Sequence, residues 1–149
     1  MKANLSETEG HRLEFWKEKK IFEKLKIQNS NNEKYILHDG PPYANGDLHL
    51  GHALNKILKD IVCRSKFQNN FDVEFIPGWD CHGLPIEWKV EEKFKKKGHQ
   101  KNEIDVIDFR KECRVFADHW VNEQKIQFSR FGINTDWKEI YLTMTKSSE

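Results

Sequence analysis

The sequence predicts an α/β fold built around one parallel βαβ unit, and three stretches carry that prediction. The apolar run Tyr35-Ile36-Leu37 suits a buried strand. Leu54, Ile57, Leu58 and Ile61 then form an apolar stripe at helical spacing. Val73 to Ile76 reads as a second strand, stopped by Pro77-Gly78. Strand, loop, helix and strand in that order imply a right-handed crossover between parallel strands.

Around this unit the elements follow in chain order. Met1 to Gly10 is polar throughout, so no signal peptide is expected to open the chain. Arg12 to Lys26 reads as one amphipathic helix, with Leu13, Trp16, Phe22 and Leu25 near helical spacing among charges. Ile27 to Glu33, rich in Asn and Ser, reads as a loop. Between the first strand and the crossover helix, two prolines and two glycines fall within the nine residues His38 to Gly46 and forbid a regular element. Asp47 or an adjacent residue is expected to cap the helix that follows, which ends near Phe67. Beyond the second strand, Ile86 to Lys97 is expected to be a charged helix closed by Gly98. A long helix is expected from Asp105 to Phe131, with Val106, Phe109, Cys113, Phe116, Trp120, Gln124 and Phe131 near one stripe and Gly132 as its stop. Ile140-Tyr141-Leu142 reads as a short strand, and Lys93 to Lys101 as a solvated face. The organisation expected is a helical lead-in (1–34), the βαβ half (35–100) and a helical segment (101–149).

Composition excludes several function classes. At 149 residues, one domain is the default, with roughly 68–70% of the unfolded surface buried. Twenty-five basic residues against 24 acidic leave a net charge of +1, without the basic excess of a nucleic-acid-binding domain. Cys63, Cys81 and Cys113 form no Cys-x-x-Cys pair, which argues against a zinc site, and their odd number and wide spacing argue against a disulfide framework. The expected compartment is reducing and cytoplasmic. No apolar run approaches the roughly 20 residues that span a bilayer.

Two constellations could do chemistry. His49-Leu50-Gly51-His52 opens a helix just after the Gly/Pro loop. Free amides and the positive dipole end of a helix attract anions. Gly51 lets a ligand approach the backbone, and imidazoles three residues apart face one side of the turn. Both could donate hydrogen bonds to phosphate oxygens as charge builds in a transition state. Alternatively the two histidines are structural, or they begin a metal site completed by Asp80 and His82. The second constellation, Pro77 to Glu87, follows the second strand, at the same sheet edge as the first loop; open α/β sheets bind ligands at the carboxyl ends of their strands. Asp80 could pair with a substrate ammonium group. The bland alternative has Asp80 capping a turn and Trp79 in the core.

On these residues a family resemblance appears. His49-Leu50-Gly51-His52 matches the His-x-Gly-His signature of class I aminoacyl-tRNA synthetases. The wider strings Leu37 to Gly46 and Pro77 to Glu87 resemble the isoleucine branch of that family in particular. Lys2-Ala3-Asn4-Leu5 with Phe15-Trp16 resembles its opening region, and Phe128 to Phe131 with Tyr141-Leu142-Thr143 resembles the stretch leading to its editing insertion. The resemblance implies the first half of a Rossmann-like nucleotide-binding domain, as an amino-terminal fragment of the catalytic domain. It implies activation of isoleucine by ATP, accompanied by Mg²⁺, and transfer to tRNA(Ile) by a monomeric full-length parent. His49 and His52 would be the catalytic pair. The ATP site would run through Pro42, Tyr43, Ala44, Asn45, Gly46, Asp47, Leu48, His49, Leu50, Gly51 and His52, with Gly51 admitting the adenosine. Gly40, Pro41 (through its carbonyl) and Asp80 would hold the amino acid, and Gly40, Tyr43 and Asn45 would shape the pocket wall. No zinc site or Mg²⁺ ligand is expected in this segment. Met144-Thr145-Lys146-Ser147-Ser148 superficially resembles the family's Lys-Met-Ser-Lys-Ser loop, but its order and position are wrong. The editing domain, the second half of the fold and the anticodon-binding helices are expected to lie outside this chain. Two other readings remain: a small nucleotidyltransferase, which would share the histidine motif but not Trp79 to Glu87, and a catalytically silent binding module.

Overall fold

A computed structural model describes residues 4–148 of the chain. The Lys2-Ala3 part of the opening string and Glu149 lie outside the described residues. The elements are α1 (Leu5–Glu18), α2 (Ile21–Asn29), β1 (Lys34–Leu37), α3 (Leu50–Gln68), β2 (Asp72–Phe75), β3 (Gly78–Trp79), α4 (Leu84–Lys96), a 3-10 turn (Lys101–Glu103), α5 (Val106–Arg130) and β4 (Tyr141–Leu142).

The βαβ unit is present. β1 and β2 pair in parallel, with Tyr35 opposite Val73 and Leu37 opposite Phe75, and α3 makes the crossover. A second parallel pair joins β3 to β4, Gly78 opposite Tyr141 and Trp79 opposite Leu142. A Cβ on Gly78 would lie 2.5 Å from the Tyr141 ring, so any larger residue there would have to displace that ring. No helix among the described residues is long and apolar enough to cross a membrane.

Several expectations are corrected. The single helix Arg12 to Lys26 is two, broken at Lys19-Lys20, where Lys20 takes a left-handed conformation (φ 50°). The break separates an α1 that buries no residue from an α2 whose Phe22 and Leu25 pack on the second core cluster. The expected loop also begins later, because α2 continues to Asn29. Buried Asn29 then donates to the Phe67 and Phe71 carbonyls and ties α2 to the turn after α3. β1 is not a buried strand: Ile36 is exposed, because the two-stranded sheet leaves one face of it uncovered. The sharpest contrast with the usual amphipathic pattern is in α3. Its apolar stripe Leu54, Ile57, Leu58 and Ile61 faces outward, while Lys56, Asp60, Cys63 and Phe67 are the buried positions.

On α5 the stripe is only partly as expected. Phe109 and Gln124 are buried, but Val106 and Phe131 are exposed, and the positions inward are completed by Ala117, Val121 and Phe128. At 3.6 residues per turn Val106 and Phe131 lie within about 20° of Gln124; they are the first residue and the C-cap of the helix, so the stripe is exposed at its two ends. Asp105 caps the helix by accepting from the Ile107 and Asp108 amides.

Two apolar clusters result. One gathers Ala44, Trp79, Cys81, Ile86, Ala117, Val121, Phe128 and Met144 between the two motif loops and α4 and α5. The other gathers Cys63, Phe67, Val73, Phe75 and Ile133 under α2 and the βαβ sheet. Trp137 packs against both.

Candidate active site

The two motif loops meet. Tyr43 and Asp80 form an isolated parallel bridge, with the Asp80 amide donating to the Pro42 carbonyl at 2.8 Å and the Ala44 amide donating to the Asp80 carbonyl at 2.9 Å. Ala44 and Trp79 are fully buried beneath this junction. Tyr43 and Leu50 stay exposed, and Pro41, Asn45 and Gly46 are half-buried.

The cap of α3 is His49, not Asp47. No hydroxyl or carboxylate stands at that position, so imidazole nitrogens satisfy the orphan amides of the first turn. His49 Nδ1 accepts from the Gly51 amide at 3.1 Å, and His52 Nδ1 accepts from the His49 amide at 3.3 Å. The amides expected to be free for an anion are therefore partly occupied. An imidazole that accepts at Nδ1 carries its proton on Nε2 when neutral. Both rings thus present Nε2–H donors, and they stack with centroids 3.9 Å apart. Gly51 makes room for this arrangement: a Cβ there would stand 2.9 Å from His49 Cε1. Burial, the neighbouring His49 and then Lys56 hold the His52 pKa below its ordinary 6.5, which favours the neutral donor form.

Asp80 is partly buried. Its Oδ1 accepts from the Thr143 hydroxyl at 3.3 Å, lies 3.5 Å from the His82 amide and stands 3.7 Å from His82 Nδ1. All three contacts fall on Oδ1. Thr143 in turn accepts from the Cys81 amide at 2.9 Å, so the residue after β4 braces the loop. Trp79 does lie in the core, as the bland alternative had it, with its indole N–H donating to Gln124 Oε1 at 2.9 Å.

Sequence reasoning missed the groups that hold the loops. Asp39, whose side chain is 2% exposed, accepts from Lys56, from Lys59 at 2.7 Å and from the Gly78 amide at 2.9 Å. One carboxylate thereby joins the first loop, α3 and the start of β3. Burial lowers the Lys56 pKa while Asp39 opposes that shift. Lys56 also sits over the Phe128 ring at 5.2 Å and the Phe75 ring at 5.7 Å. Gln124 donates to the Tyr43 carbonyl at 3.0 Å and the Gly46 carbonyl at 2.7 Å. Gln127 accepts from the Leu48 amide at 3.0 Å and donates to Asp47 Oδ1 at 2.7 Å. A signal did exist for Gln124: an amide standing in an apolar stripe has to find partners if it is buried.

The chain matches the family model of tRNA synthetases class I (I, L, M and V) over residues 11–149. It is 52% identical over 149 residues to the isoleucine–tRNA ligase of Pelagibacter ubique, covering all of this chain and 16% of that protein. It is also 52% identical over 150 residues to the isoleucine–tRNA ligase of Zymomonas mobilis, with the same two coverages. The fold is similar to that of the Agrobacterium radiobacter K84 LeuRS in its ternary complex with tRNA and LeuAMS. There the TM-score is 0.71 at 21% identity, over 99% of this chain and 16% of that one. The chain thus spans about 16% of the length of the curated relatives it matches.

Proposed function

The chain belongs to the class I tRNA synthetases (I, L, M and V), and from that membership we propose that it carries the ATP-phosphate and amino-group subsites of an isoleucine–tRNA ligase. The identity to isoleucine–tRNA ligases supports the choice of amino acid. The observation that carries the site assignment is the backbone junction of Tyr43 and Ala44 with Asp80, which joins the histidine-bearing loop to the loop of the carboxylate.

In the reaction, a carboxylate oxygen of isoleucine attacks the α-phosphorus of ATP. The new O–P bond forms as the bond to the pyrophosphate oxygen breaks, and pyrophosphate leaves. The aminoacyl group then passes from the adenylate to a hydroxyl of tRNA(Ile), releasing AMP. His49 and His52 donate from Nε2 to phosphate oxygens whose charge grows in the transition state. Asp80 Oδ2 and the Pro41 carbonyl receive the substrate ammonium, and Gly40, Tyr43 and Asn45 form the wall beside it. Pro42 to Leu48, with Leu50 and Gly51, line the nucleotide side. Holding the two substrates in line supplies the rest of the rate.

Mg²⁺ would arrive with ATP. It takes oxygen ligands, whereas the helix start offers imidazoles, and among the described residues no three His, Cys, Asp or Glu side chains converge on one point. A Mg²⁺ bound with a nucleotide takes most of its ligands from the phosphates and water, and no step here is routed through it. Residues 1–34 serve as a lead-in, 35–100 as the nucleotide-binding half and 101–149 as the arm towards an editing insertion.

The test uses the full-length parent. His52→Ala is expected to lower isoleucine-dependent ATP–pyrophosphate exchange by about 10²–10³-fold and to leave isoleucine affinity nearly unchanged. Equal losses in both would contradict the phosphate role. The isolated 149-residue chain is expected not to charge tRNA, and robust isoleucyl-tRNA formation by it would overturn the half-site assignment.

A further inference from the structure

Gln124 and Gln127 stand one turn apart on α5, roughly 80 residues downstream of the loop they hold; the pairs are separated by 78 to 81 positions. We propose that they are positioning residues for adenylate formation, with Gln124 locking the histidine loop to the Asp80 loop and Gln127 setting the approach to His49. The inference rests on the synthetase reading above.

The Gln124 side chain is completely buried and spends both amide hydrogens and its carbonyl on the two loops. Its carbonyl holds the indole of Trp79, the residue before Asp80. Its amide holds the Tyr43 and Gly46 carbonyls, which bracket Ala44 and Asn45. A buried amide with three partners has little rotational freedom, so α5 adds a further tie between the loops beside their own backbone bridge and the Asp39–Gly78 bond. Packing alone would not need this: a methionine or leucine would fill the space, and the polar group is tolerated only because every bond is made.

Gln127 works on the next stretch. Asp47 and Leu48 immediately precede the cap residue His49, and both are bonded to the one Gln127 amide. The half-buried position of Gln127 makes it replaceable without opening the core. The histidine rings take their orientation from backbone amides at His49 and Gly51, so a shift of Leu48 turns the rings. Misplacement on the ångström scale at reacting groups costs about 10²-fold in favourable cases.

The two glutamines therefore have different signatures. In the full-length parent, Gln127→Met is expected to lower kcat for ATP–pyrophosphate exchange by about tenfold, within that positional range. The KM for isoleucine should hold within about twofold, since the Asp80 loop is untouched. Gln124→Met is expected to change kcat and the KM values for both ATP and isoleucine, because it releases both loops. Thermal melting is recorded beside each variant. Should Gln124→Met fail to fold, Gln127→Met carries the test. Wild-type exchange by Gln127→Met, or a loss in isoleucine KM equal to its loss in kcat, overturns the positioning role. Absence of any isoleucine-dependent exchange in the wild-type parent overturns the synthetase reading instead, and this inference with it.

Discussion

The two sides of α3 carry opposite chemistry from what a surface helix ordinarily shows. Lys56, Asp60, Cys63 and Phe67 point into the protein, while Leu54, Ile57, Leu58 and Ile61 point away from it. Lys56 lies two residues past Leu54, about 200° around a helix of 3.6 residues per turn, so the sets occupy opposite faces. The inner face is polar at two positions and still buried, because each charge has partners. Lys56 shares Asp39 with Lys59. Asp60 accepts from Arg64 Nε at 2.6 Å and from the Asn134 amide at 2.7 Å. The outer face is apolar and uncovered among the described residues. Apolar periodicity therefore located the helix correctly but did not say which face the neighbouring strands would choose. The face they chose joins the apolar Cys63 and Phe67 to the core and gives Lys56 and Asp60 their buried polar connections.

The comparison can be broken most sharply at Asp39. Asp39→Ala leaves Lys56 and Lys59 without their carboxylate and the Gly78 amide without its acceptor. Removing one partner of a buried ionic group costs about 3–5 kcal/mol, so a large fall in the urea midpoint is expected; a midpoint near wild type would mean the inner face is not held by charge. Asp60→Ala comes next. It orphans the Asn134 amide and frees Arg64, which otherwise stacks on Trp16 at 4.9 Å and donates to the Gly132 carbonyl. An expected loss of about 1–3 kcal/mol can be read by the same titration.

The outer face should respond far less. Leu58 is 53% exposed, and Leu58→Gln is expected to move stability by no more than about 0.5 kcal/mol while reducing binding of a hydrophobic dye. A loss comparable to that of Asp39→Ala would show that the outward stripe is core after all. The smallest effect belongs to His52 at the end of the helix. Its pKa is lowered in the fold, first by burial, so the unfolded chain binds its proton more readily. The stability contributed by neutral His52 is present above its ordinary 6.5 and is lost as pH falls through the folded value. Melting temperature should accordingly drop more between pH 8 and pH 5 in the wild type than in His52→Gln. Parallel curves would exclude the linkage.

Much of the site could be read from the residues in order. The Gly/Pro loop, the histidines three apart and the strand stop at Pro77-Gly78 are local features, and local sterics place them at a helix start and a strand end. Sequence could not identify the cap. Asp47 is the better capping residue by type, but its carboxylate is held by Gln127, and the helix begins at Leu50 behind His49. It also could not show that Ala44 would be core or that the Pro42 carbonyl would be bonded to Asp80. Those outcomes depend on a partner 38 positions away, and no periodicity encodes such a contact.

By itself the sequence determined the parallel βαβ unit, the two motif loops and the helices that flank them, because turn chemistry and hydrophobic spacing act over a few residues. Tertiary structure alone decided which face of α3 is buried and that Asp39 and Gln124 bind the two loops together. A buried carboxylate or amide is stable only where several distant donors and acceptors converge on it, and such convergence exists only once the chain has folded.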